Sequence, residues 1–573
     1  MEKKGRHAGA IKDSGEDRAF APKHARMGSA PSQSRPVNLE SLPQIALSHE
    51  VGTPAAQTPS AAKTGKSSAG KAPQTAWDFA AAGTYVDRSL PKPFAWIVVV
   101  LGLVAILLPS IGMAWAFTDS TSENRELAPA PALFGEDGSF NVSILSDAGT
   151  WFEDHFAYRN ELVSANATLR EALGTSPTDQ VVVGSEGWLY YGGTLPDYLG
   201  QSALSERGLA NIAHNLALAQ GYVQGHGGTF LLAVAPNKNT LYPEHMPYYY
   251  VHDSSPSNYE RLKPFLDEAG VRYCDMQAFF ADMPDTWYLK TDSHWDNRGA
   301  LLATNELFAA LDRPGIDVDA ASAVAREDFL GDLESMLKPA GAQLEANYYY
   351  EGYNDGPNGT GTLWSYEASS EQDVTADWIQ TQGVSGKGSV LMFRDSFANA
   401  LVPFWSVSFK DAAFSKLVPY NLPDMNKVKA DTVVIERAER HLPYLAENPP
   451  IMVSPRVNGK TFAGVEGNPD DPQCILKANN DGPYLVLSGT VRPNAFARDM
   501  KIYVSVAPSG QEPAVYDAFW TSIAAEDGSY DDGGYLVRLD GSRFAAGRID
   551  VKVYGVTGGE STCLGDFTDV SVG

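Results

Sequence analysis

The run Thr229–Ala235, TFLLAVA, is a continuous stretch of apolar and small side chains that follows a helical segment opened near Ser205 and closed by glycines. A run of this length beside a helix is typical of a strand buried on both faces. Similar runs occur at Val271–Cys274, Ser389–Phe393, Ser415–Val418 and Thr432–Ile435, and a helix is predicted over Gly299–Leu311. Because apolar strands alternate with helices, the sequence predicts an α/β fold with a parallel sheet, which binds ligands beyond the C-terminal strand ends.

Charge is distributed unevenly along the 573 residues, which carry a formal net charge of −26. Residues 1–92 hold 13 Lys and Arg against 8 Asp and Glu, so the remainder of the chain is strongly acidic. This balance argues against nucleic acid as a partner, since a nucleic-acid-binding face is basic. Residues 1–92 are rich in Ala, Ser, Pro, Gly and Lys and hold few aromatics, so we predict a disordered tail.

An uncharged segment of 24 residues, FAWIVVVLGLVAILLPSIGMAWAF, occupies residues 94–117 and has a tryptophan near each end. A helix of about 20 residues crosses the hydrocarbon core of a bilayer, and tryptophans favour its interfaces. We therefore predict a single-pass protein of the cell membrane, with a transmembrane signal anchor over residues 93–117. The basic tail would be cytoplasmic and the acidic remainder extracellular. The triplet Ala114-Trp115-Ala116 is also typical of a cleavage site, so release stays an alternative.

The pattern changes from about residue 451. Shorter runs that alternate or carry β-branched residues occur at Tyr484–Val491, Lys501–Ala507, Tyr535–Leu539 and Arg548–Tyr554. We predict an α/β domain over residues 118–450 and a separate β-sandwich over residues 451–573. Three cysteines are too few for a disulfide scaffold. Cys474 and Cys563 could pair outside the cell, whereas Cys274 is predicted to be a buried thiol.

A serine follows the predicted strand Ser389–Phe393, within the turn RDSF at Arg394–Phe397. A serine at a strand-to-helix turn can present its hydroxyl at the sheet edge, where neighbouring N–H groups can bind an oxyanion. Serine and aspartate are also common helix N-caps, so a cap is the alternative for Ser396 when this turn is considered alone.

The segment KTDSHWDNRG, Lys290–Gly299, precedes a predicted helix. Asp292 and His294 are two residues apart, so an extended backbone directs both side chains to the same side. A serine needs a base to become nucleophilic, and the imidazole needs a carboxylate that fixes its tautomer. The sequence therefore offers a triad of Ser396, His294 and Asp292, with Trp295 as a wall against water.

Two other interpretations of this segment stay open. Asp296 and Asn297, together with Asp292, could simply cap the following helix. Asp292, His294 and Asp296 could instead bind a metal, but one histidine makes a poor zinc site. No metal and no other cofactor is predicted.

Polar and aromatic residues near other strand ends are candidates for substrate binding. Asn237 and Lys238 follow the strand Thr229–Ala235 and could orient a substrate or donate to an oxyanion, or could be solvated loop residues. The tyrosine-rich region Asn347–Tyr366 could stack its rings on sugars or pack on itself. The polar stretch 436–440 is predicted to be a structural ion network. The substrate-binding candidates are Asn237, Lys238, Trp295, Arg298, Arg394, Tyr350 and Tyr353.

The segment Lys290–Gly299 resembles the D-x-H-W signature of the SGNH-hydrolase-like alginate O-acetyltransferases of the AlgX and AlgJ type, and of the related DHHW proteins. Further blocks match in order along residues 120–445. They are ENREL at Glu123–Leu127, GSEGWLY at Gly184–Tyr190, PNKNTLYP at Pro236–Pro243, GDL at Gly331–Leu333, RDSF at Arg394–Phe397 and VVIERAERHL at Val433–Leu442. The alginate enzymes carry a Gly-Thr-Ser type of turn where this chain has RDSF, which leaves the oxyanion-hole residues open.

The resemblance implies a membrane-anchored, extracytoplasmic enzyme with a permuted SGNH-hydrolase-like fold that acetylates a cell-surface or secreted polysaccharide. It implies Ser396 as nucleophile, His294 as base and Asp292 as the residue that orients the base. It also implies a multi-spanning membrane acyltransferase that supplies acetyl groups, and a C-terminal β-sandwich that binds carbohydrate, with a spacer or partner platform as the alternative. Two other functions stay open: ester hydrolysis by the same triad, and a glycan-binding scaffold in which Ser396 is silent.

Overall fold

The computed structural model describes residues 92–113, 115, 127–134, 138–252, 255–319, 322–355, 366–368, 374–462, 464–508, 512–524, 530–544 and 547–572. The tail predicted over residues 1–92 lies outside the described residues except for Lys92. Most of the ENREL block and residues 356–365 of the tyrosine-rich region also lie outside them.

The helices and strands of the described residues alternate through the first part of the chain and become all-β at its end. The helices are α1 Lys92–Gly112, α2 Ile144–His155, α3 Arg159–Ala172, α4 Leu195–Tyr198, α5 Glu206–Gly225, α6 Lys238–Leu241, α7 Asn258–Ala269, α8 Met276–Ala281, α9 Asn297–Ala310, α10 Asp332–Leu337, α11 Val402–Ser408, α12 Asp424–Val428 and α13 Leu442–Glu447. The earlier strands are β1 Val181–Val183, β2 Leu189–Tyr191, β3 Thr229–Ala235, β4 Tyr273–Cys274, β5 Val324–Leu330, β6 Leu344–Tyr349, β7 Tyr366–Ala368, β8 Trp378–Gly383, β9 Ser389–Phe393, β10 Asp411–Ser415 and β11 Thr432–Ala438. The later strands are β12 Lys477–Asp481, β13 Tyr484–Thr490, β14 Lys501–Pro508, β15 Ala514–Asp517, β16 Phe519–Ala524, β17 Tyr530–Asp540, β18 Gly547–Thr557 and β19 Glu560–Val572.

The central sheet has the strand order β4-β3-β11-β9-β10-β8-β7. Its first five strands pair in parallel, and β8 and β7 complete it in antiparallel fashion. The predicted α/β fold with a parallel sheet is therefore confirmed. The predicted strand Ser415–Val418 is wrong in position, because β10 ends at Ser415, which pairs with Phe393. Ala412 and Ala413 lie within β10, and alanine is a weak strand signal in a sequence.

Successive side chains of the central strands point to opposite faces, and helices cover both faces. Leu231 of β3 and Val434 of β11 belong to a core shared with α9 and α11. Phe230 and Val433, one residue earlier on each strand, belong to a second core shared with α5 and α7. Burial on both faces explains the continuous apolar runs in the sequence. It also holds the C-terminal ends of β3, β11 and β9 side by side.

Two four-stranded antiparallel sheets form the C-terminal region, with orders β12-β13-β17-β16 and β15-β14-β18-β19. Side chains of both sheets, among them Leu487 and Val504, form a separate core. The β-rich region predicted at this end of the chain is confirmed. Cys474 and Cys563 are buried free thiols, so the disulfide considered for them is not formed, and Cys274 is a buried thiol as predicted.

Helix α5 joins the α/β region to the C-terminal sheets through polar side chains on one face. Asn215 donates to the backbone oxygen of Trp520 at 2.6 Å and accepts from its backbone nitrogen at 3.0 Å. One turn earlier, Asn211 donates to Oγ of Ser522 at 3.1 Å. Trp520 and Ser522 belong to β16, which is the edge strand of its sheet. The amide of Asn215 thus occupies hydrogen-bonding groups that an edge strand would otherwise leave unpaired.

Helix α1, Lys92–Gly112, covers most of the uncharged segment, and its large apolar side chains are exposed, from Trp96 at 68% to Leu108 at 50%. In the part of the chain that the structure describes, we find no helix with both the length and the apolar character needed to cross a membrane. The predicted transmembrane helix is therefore not confirmed.

Candidate active site

Ser396 lies three residues beyond β9, a strand at the centre of the sheet between β11 and β10. A short 3-10 helix, Phe397–Ala400, begins directly after it. The Ser396 side chain makes no capping hydrogen bond. Instead, Oδ1 of Asp395 accepts from the backbone nitrogen of Phe397 at 2.9 Å and closes the turn. Ser396 therefore does not act as the helix cap, and its hydroxyl is left for another partner.

His294 belongs to a loop that leads into α9. An isolated antiparallel bridge between Tyr288 and Trp295 closes this loop. Asp296 then caps α9, because its Oδ1 accepts from the backbone nitrogen of Gly299 at 2.8 Å. The cap predicted for this segment is confirmed for Asp296, and it fixes the point where the loop ends and the helix begins.

His294 bridges Ser396 and Asp292. Its Nε2 lies 2.8 Å from Oγ of Ser396, and its Nδ1 lies 2.7 Å from Oδ1 of Asp292. A carboxylate only accepts hydrogen bonds, so Nδ1 of the neutral ring carries the proton and Nε2 accepts from the Ser396 hydroxyl. Asp292 is buried, whereas the His294 side chain is 18% exposed and Ser396 is half-buried. Reactants can therefore approach the serine end of the arrangement.

Asp332, at the start of α10, is a second acidic residue beside the imidazole. Its backbone nitrogen donates to Oδ2 of Asp292 at 2.8 Å, and its own Oδ2 lies 3.7 Å from Nδ1 of His294. Ser293 donates from Oγ to the same Oδ2 at 2.6 Å. Sequence reasoning did not assign a role to Asp332. Its position in the GDL block, Gly331–Leu333, was the one feature of the sequence that could have indicated a role for it.

These contacts shift the pKa values of the three groups in different directions. Burial alone would raise the pKa of Asp292, but the charge and hydrogen bond of His294 lower it to about 2. Burial opposes the protonation of His294, yet the attraction of Asp292 is stronger and raises the His294 pKa above its usual range. Burial and the neighbouring Asp292 raise the pKa of Asp332 to about 6. A histidine with this environment can hold a proton transiently as a general base.

Among the residues that the structure describes, the group that could hold a metal is Asp292, His294 and Asp332, whose ligand atoms lie within 4.8 Å of one another. Asp296, considered earlier as a ligand, instead binds Arg298 and the start of α9. Both oxygens of Asp292 accept hydrogen bonds, from His294 and from the backbone of Asp332. A metal would have to displace the Nδ1 proton of His294, so the hydrogen-bond pattern favours an Asp–His pair.

Comparison of the sequence with known protein families gives a match that includes part of this site. Residues 181–360 match the family model described as the SGNH hydrolase-like domain of the acetyltransferase AlgX. This part of the chain is similar to the AlgX family domain. The matched range includes Asp292, His294 and Asp332 and ends before Ser396. The resemblance inferred from the sequence blocks is confirmed.

A curated relative and several solved structures are also similar to this chain. A probable alginate O-acetylase AlgJ of Pseudomonas syringae pv. tomato is 30% identical over 174 residues, which are 29% of this chain and 41% of the relative. The chain thus spans about two fifths of that relative's length. Bacillus cereus PatB1 matches with 15% identity and a TM-score of 0.36, over 46% of this chain and 96% of PatB1. The O-acetyltransferase domain of Pseudomonas putida AlgJ matches with 19% identity and a TM-score of 0.30, over 46% and 92%.

Lys238 is buried, so it does not present its ammonium group to a substrate. Its Nζ donates to the backbone oxygens of Leu189 and Lys290 at 2.7 Å each, and to that of Asp292 at 2.9 Å. Burial lowers the pKa of Lys238 to about 7, against the attraction of Asp292 and other carboxylates. Lys238 therefore ties strand β2 to the loop that carries Asp292 and His294.

Arg394 and Asn237 also lie below the surface. The guanidinium of Arg394 donates to the backbone oxygens of Val374 and Ala376 at 2.8 and 2.7 Å. The backbone nitrogen of Asn237 donates to Oε2 of Glu439 at 2.9 Å. Because both side chains are buried, the structure does not support the substrate contacts predicted for them. Both residues instead form hydrogen bonds that stabilise the loops after the strands.

The remaining candidates divide between buried and half-buried side chains. Trp295 and Tyr350 are buried, and Nε1 of Trp295 donates to the backbone oxygen of Phe397 at 3.1 Å. Trp295 thus packs beneath the site as part of the core. Arg298 and Tyr353 are half-buried, and Arg298 pairs with Asp296. Of the seven substrate-binding candidates, these two keep partly exposed side chains.

Proposed function

We propose that this chain transfers acetyl groups to hydroxyls of a polysaccharide, with Ser396 as nucleophile, His294 as base and Asp292 as the residue that orients the base. The observation that carries the proposal is the continuous path of hydrogen bonds from Oγ of Ser396 through His294 to Asp292, at 2.8 and 2.7 Å. The family match and the relative named as an alginate O-acetylase support acetyl transfer as the reaction class.

The first half of the reaction would load the acetyl group onto Ser396. Its Oγ attacks the carbonyl carbon of an acetyl donor while the hydroxyl proton passes to Nε2 of His294. Asp292 stabilises the imidazolium that forms. The bond between the carbonyl carbon and the leaving group then breaks, the leaving group takes the proton from His294, and acetyl-Ser396 remains.

The second half would transfer the acetyl group to the acceptor. A sugar hydroxyl gives its proton to Nε2 of His294 and attacks the acetyl carbon. The new sugar ester forms as the bond to Oγ breaks, and His294 returns the proton to Ser396. Water in place of the sugar gives free acetate, which is the reaction of the esterase alternative.

The backbone N–H of Ser396 is a candidate donor to the oxyanion of both tetrahedral intermediates. Within the described part of the chain it donates to no acceptor. The neighbouring N–H groups of Asp395 and Phe397 are both occupied. An N–H that is held in place and unpaired can stabilise negative charge as it develops.

The proposal is tested by following a labelled acetyl group. The full chain is incubated with an acetyl-ester donor and an oligosaccharide, and mass spectrometry locates acetyl on Ser396, on the sugar or in free acetate. We expect acetyl-Ser396 and an acetylated sugar, both lost in Ser396→Ala and His294→Ala. Free acetate alone would favour the esterase, and a fully active Ser396→Ala variant would refute the mechanism.

Matched variants control for non-specific effects of substitution. Ser408→Ala removes a hydroxyl at the end of α11 that hydrogen-bonds the backbone of Phe404, and His226→Gln changes an exposed histidine after α5. Both should keep full activity. A chelator should also leave activity unchanged, whereas a loss that zinc restores would favour the metal interpretation.

We also propose that residues 93–117 anchor the chain in the cell membrane, with the acidic remainder outside and a multi-spanning membrane acyltransferase as acetyl supplier. The uncharged segment, the exposed apolar side chains of α1 and the basic tail support the anchor and its direction. Protease added to intact, wall-stripped cells should digest the acidic part and spare the tail. Protection of the acidic part would contradict this topology.

A further inference from the structure

A second Asp–His pair lies beneath the turn that carries Ser396. Nδ1 of His441 lies 2.7 Å from Oδ2 of Asp395, the residue before the candidate nucleophile. The same Oδ2 accepts from the backbone nitrogen of Ala438 at 2.7 Å, while Oδ1 accepts from that of Phe397 at 2.9 Å. The carboxylate of Asp395 therefore connects the residue after Ser396 to the end of β11.

The rest of the turn is held from the same strand end. The backbone nitrogen of Asp395 donates to Oε2 of Glu436 at 3.1 Å, and Nη1 of Arg437 donates to the backbone oxygen of Arg394 at 2.9 Å. Glu436 and Arg437 thus bind the backbone of the turn, and their charges also interact with Asp395, in agreement with the structural ion network predicted for the stretch 436–440. The orientation of Ser396 is set by hydrogen bonds to the residues on either side of it.

Among the described residues, His441 supplies the side-chain donor to the carboxylate of Asp395. Its own side chain is 29% exposed and lies beside the ring of Tyr444, at 5.7 Å between centroids. Burial alone would raise the pKa of Asp395, but the hydrogen bond of His441 and the charges of Arg440 and Arg437 hold it well below its usual range. An ionised carboxylate can accept all of the donors that converge on it.

We propose that His441 is a positioning residue, which acts through Asp395 to hold the hydroxyl and the N–H of Ser396 in the orientation that acyl transfer needs. It does not touch the reacting atoms. The inference rests on the proposed function of Ser396. His441 is 46 residues from Asp395 in the sequence, so the RDSF turn alone does not indicate it.

The test compares two substitutions in the full chain. His441→Leu removes the donor, whereas the Nδ2 of asparagine in His441→Asn can take the place of Nδ1 and donate to Asp395. Each variant is assayed for turnover of a small activated acetyl ester and for the rate of labelling by a fluorophosphonate probe, neither of which needs a glycan. We expect His441→Leu to lose roughly 10- to 100-fold in kcat and labelling rate with KM nearly unchanged, and His441→Asn to recover most of that loss.

Other results for the two variants contradict the inference. Equal losses in both variants, no loss in His441→Leu, or a rise in KM at constant kcat would refute it, since the last pattern marks a substrate contact. If the kcat loss of His441→Leu disappears when the assay is run well below the variant's melting temperature, His441 only stabilises the fold, and the inference is refuted. Labelling without acetyl transfer in the unaltered chain would refute the transfer proposal and leave this inference standing. Absence of labelling would refute both.

Discussion

Asp332 donates its backbone N–H to Oδ2 of Asp292 at 2.8 Å while its carboxylate lies 3.7 Å from the imidazole that Asp292 orients. Two acidic residues therefore act on the same ring of His294, one by a direct hydrogen bond and one across a longer distance. The pKa of Asp292 is lowered to about 2 and that of Asp332 is raised to about 6. Above about pH 6 both carboxylates are ionised and both favour a charged His294.

We expect Asp332→Asn to lower the pKa of His294, because it removes a negative charge near Nδ1. The base form of His294 is the neutral ring, so the acidic limb of the kcat/KM profile should move to lower pH. Turnover should fall roughly tenfold as the imidazolium loses support. The control is Asp328→Asn, an exposed position on β5. An unmoved acidic limb in Asp332→Asn would contradict the electrostatic role.

We expect Arg440→Gln to move the acidic limb of the kcat/KM profile to higher pH, opposite to the effect of Asp332→Asn. The Arg440 guanidinium lies 5.4 Å from the centroid of the Phe397 ring, and that ring lies 4.7 Å from the His294 ring. Burial and the positive charge of Arg440 oppose protonation of His294, whereas Asp292 favours it. Removing the positive charge therefore raises the His294 pKa, and the acidic limb moves to higher pH. Arg440→Lys keeps the charge and should keep the limb in place.

The parts of the fold and site that were predicted depend on patterns local to the sequence. Continuous apolar runs indicated the parallel strands. The two-residue spacing of Asp292 and His294 predicted side chains on the same side, and the two form a hydrogen bond. Asp332 lies 39 residues beyond Ser293, and only tertiary packing brings it to the imidazole. A lysine after a strand looks the same in the sequence whether it is solvated or buried, so the burial of Lys238 was not predictable.

Asp292→Asn tests the role of the orienting carboxylate. An asparagine amide can donate to Nδ1, which would favour the wrong tautomer of His294 and remove the charge that stabilises the imidazolium. We expect a loss of roughly 10³- to 10⁴-fold in kcat for the small ester, with the fold retained. Rates and circular dichroism of the same preparation give the measurement. A loss below about tenfold would mean that His294 does not depend on this pairing.

Lys238→Met tests stability more than chemistry. Methionine fills a similar volume but leaves three carbonyl oxygens, of Leu189, Lys290 and Asp292, without their donor. We expect the free energy of unfolding to fall by about 2–4 kcal/mol, measured by urea denaturation. Lys263→Met is the control, since its partly exposed pair with Asp275 should contribute no more than about 1 kcal/mol. Equal effects of the two substitutions would contradict the bracing role of Lys238.

The resemblance implies that the C-terminal β-region binds glycans, with a spacer or partner platform as the alternative, and the α5 contact decides how these can be tested. Removing residues 451–573 would strip β16 from α5 and leave Asn215 and Asn211 without their partners. Loss of a binding module would then be confused with damage to a helix of the α/β region.

Asn215→Leu isolates the contact instead. It leaves the backbone N–H and C=O of Trp520 unpaired in a buried position, so we expect about 2–4 kcal/mol of destabilisation by urea unfolding. Gln224→Leu, on an exposed position of the same helix, should change the stability little. If Asn215→Leu is as stable as the unaltered chain, the hydrogen bonds of Asn215 do not couple α5 to the β-region energetically. Arg207 and His214 of α5 also bond the β-region, so truncation at residue 450 tests glycan binding once urea unfolding shows that the shortened chain keeps its fold. The KM for long chains should then rise while small-ester turnover stays unchanged.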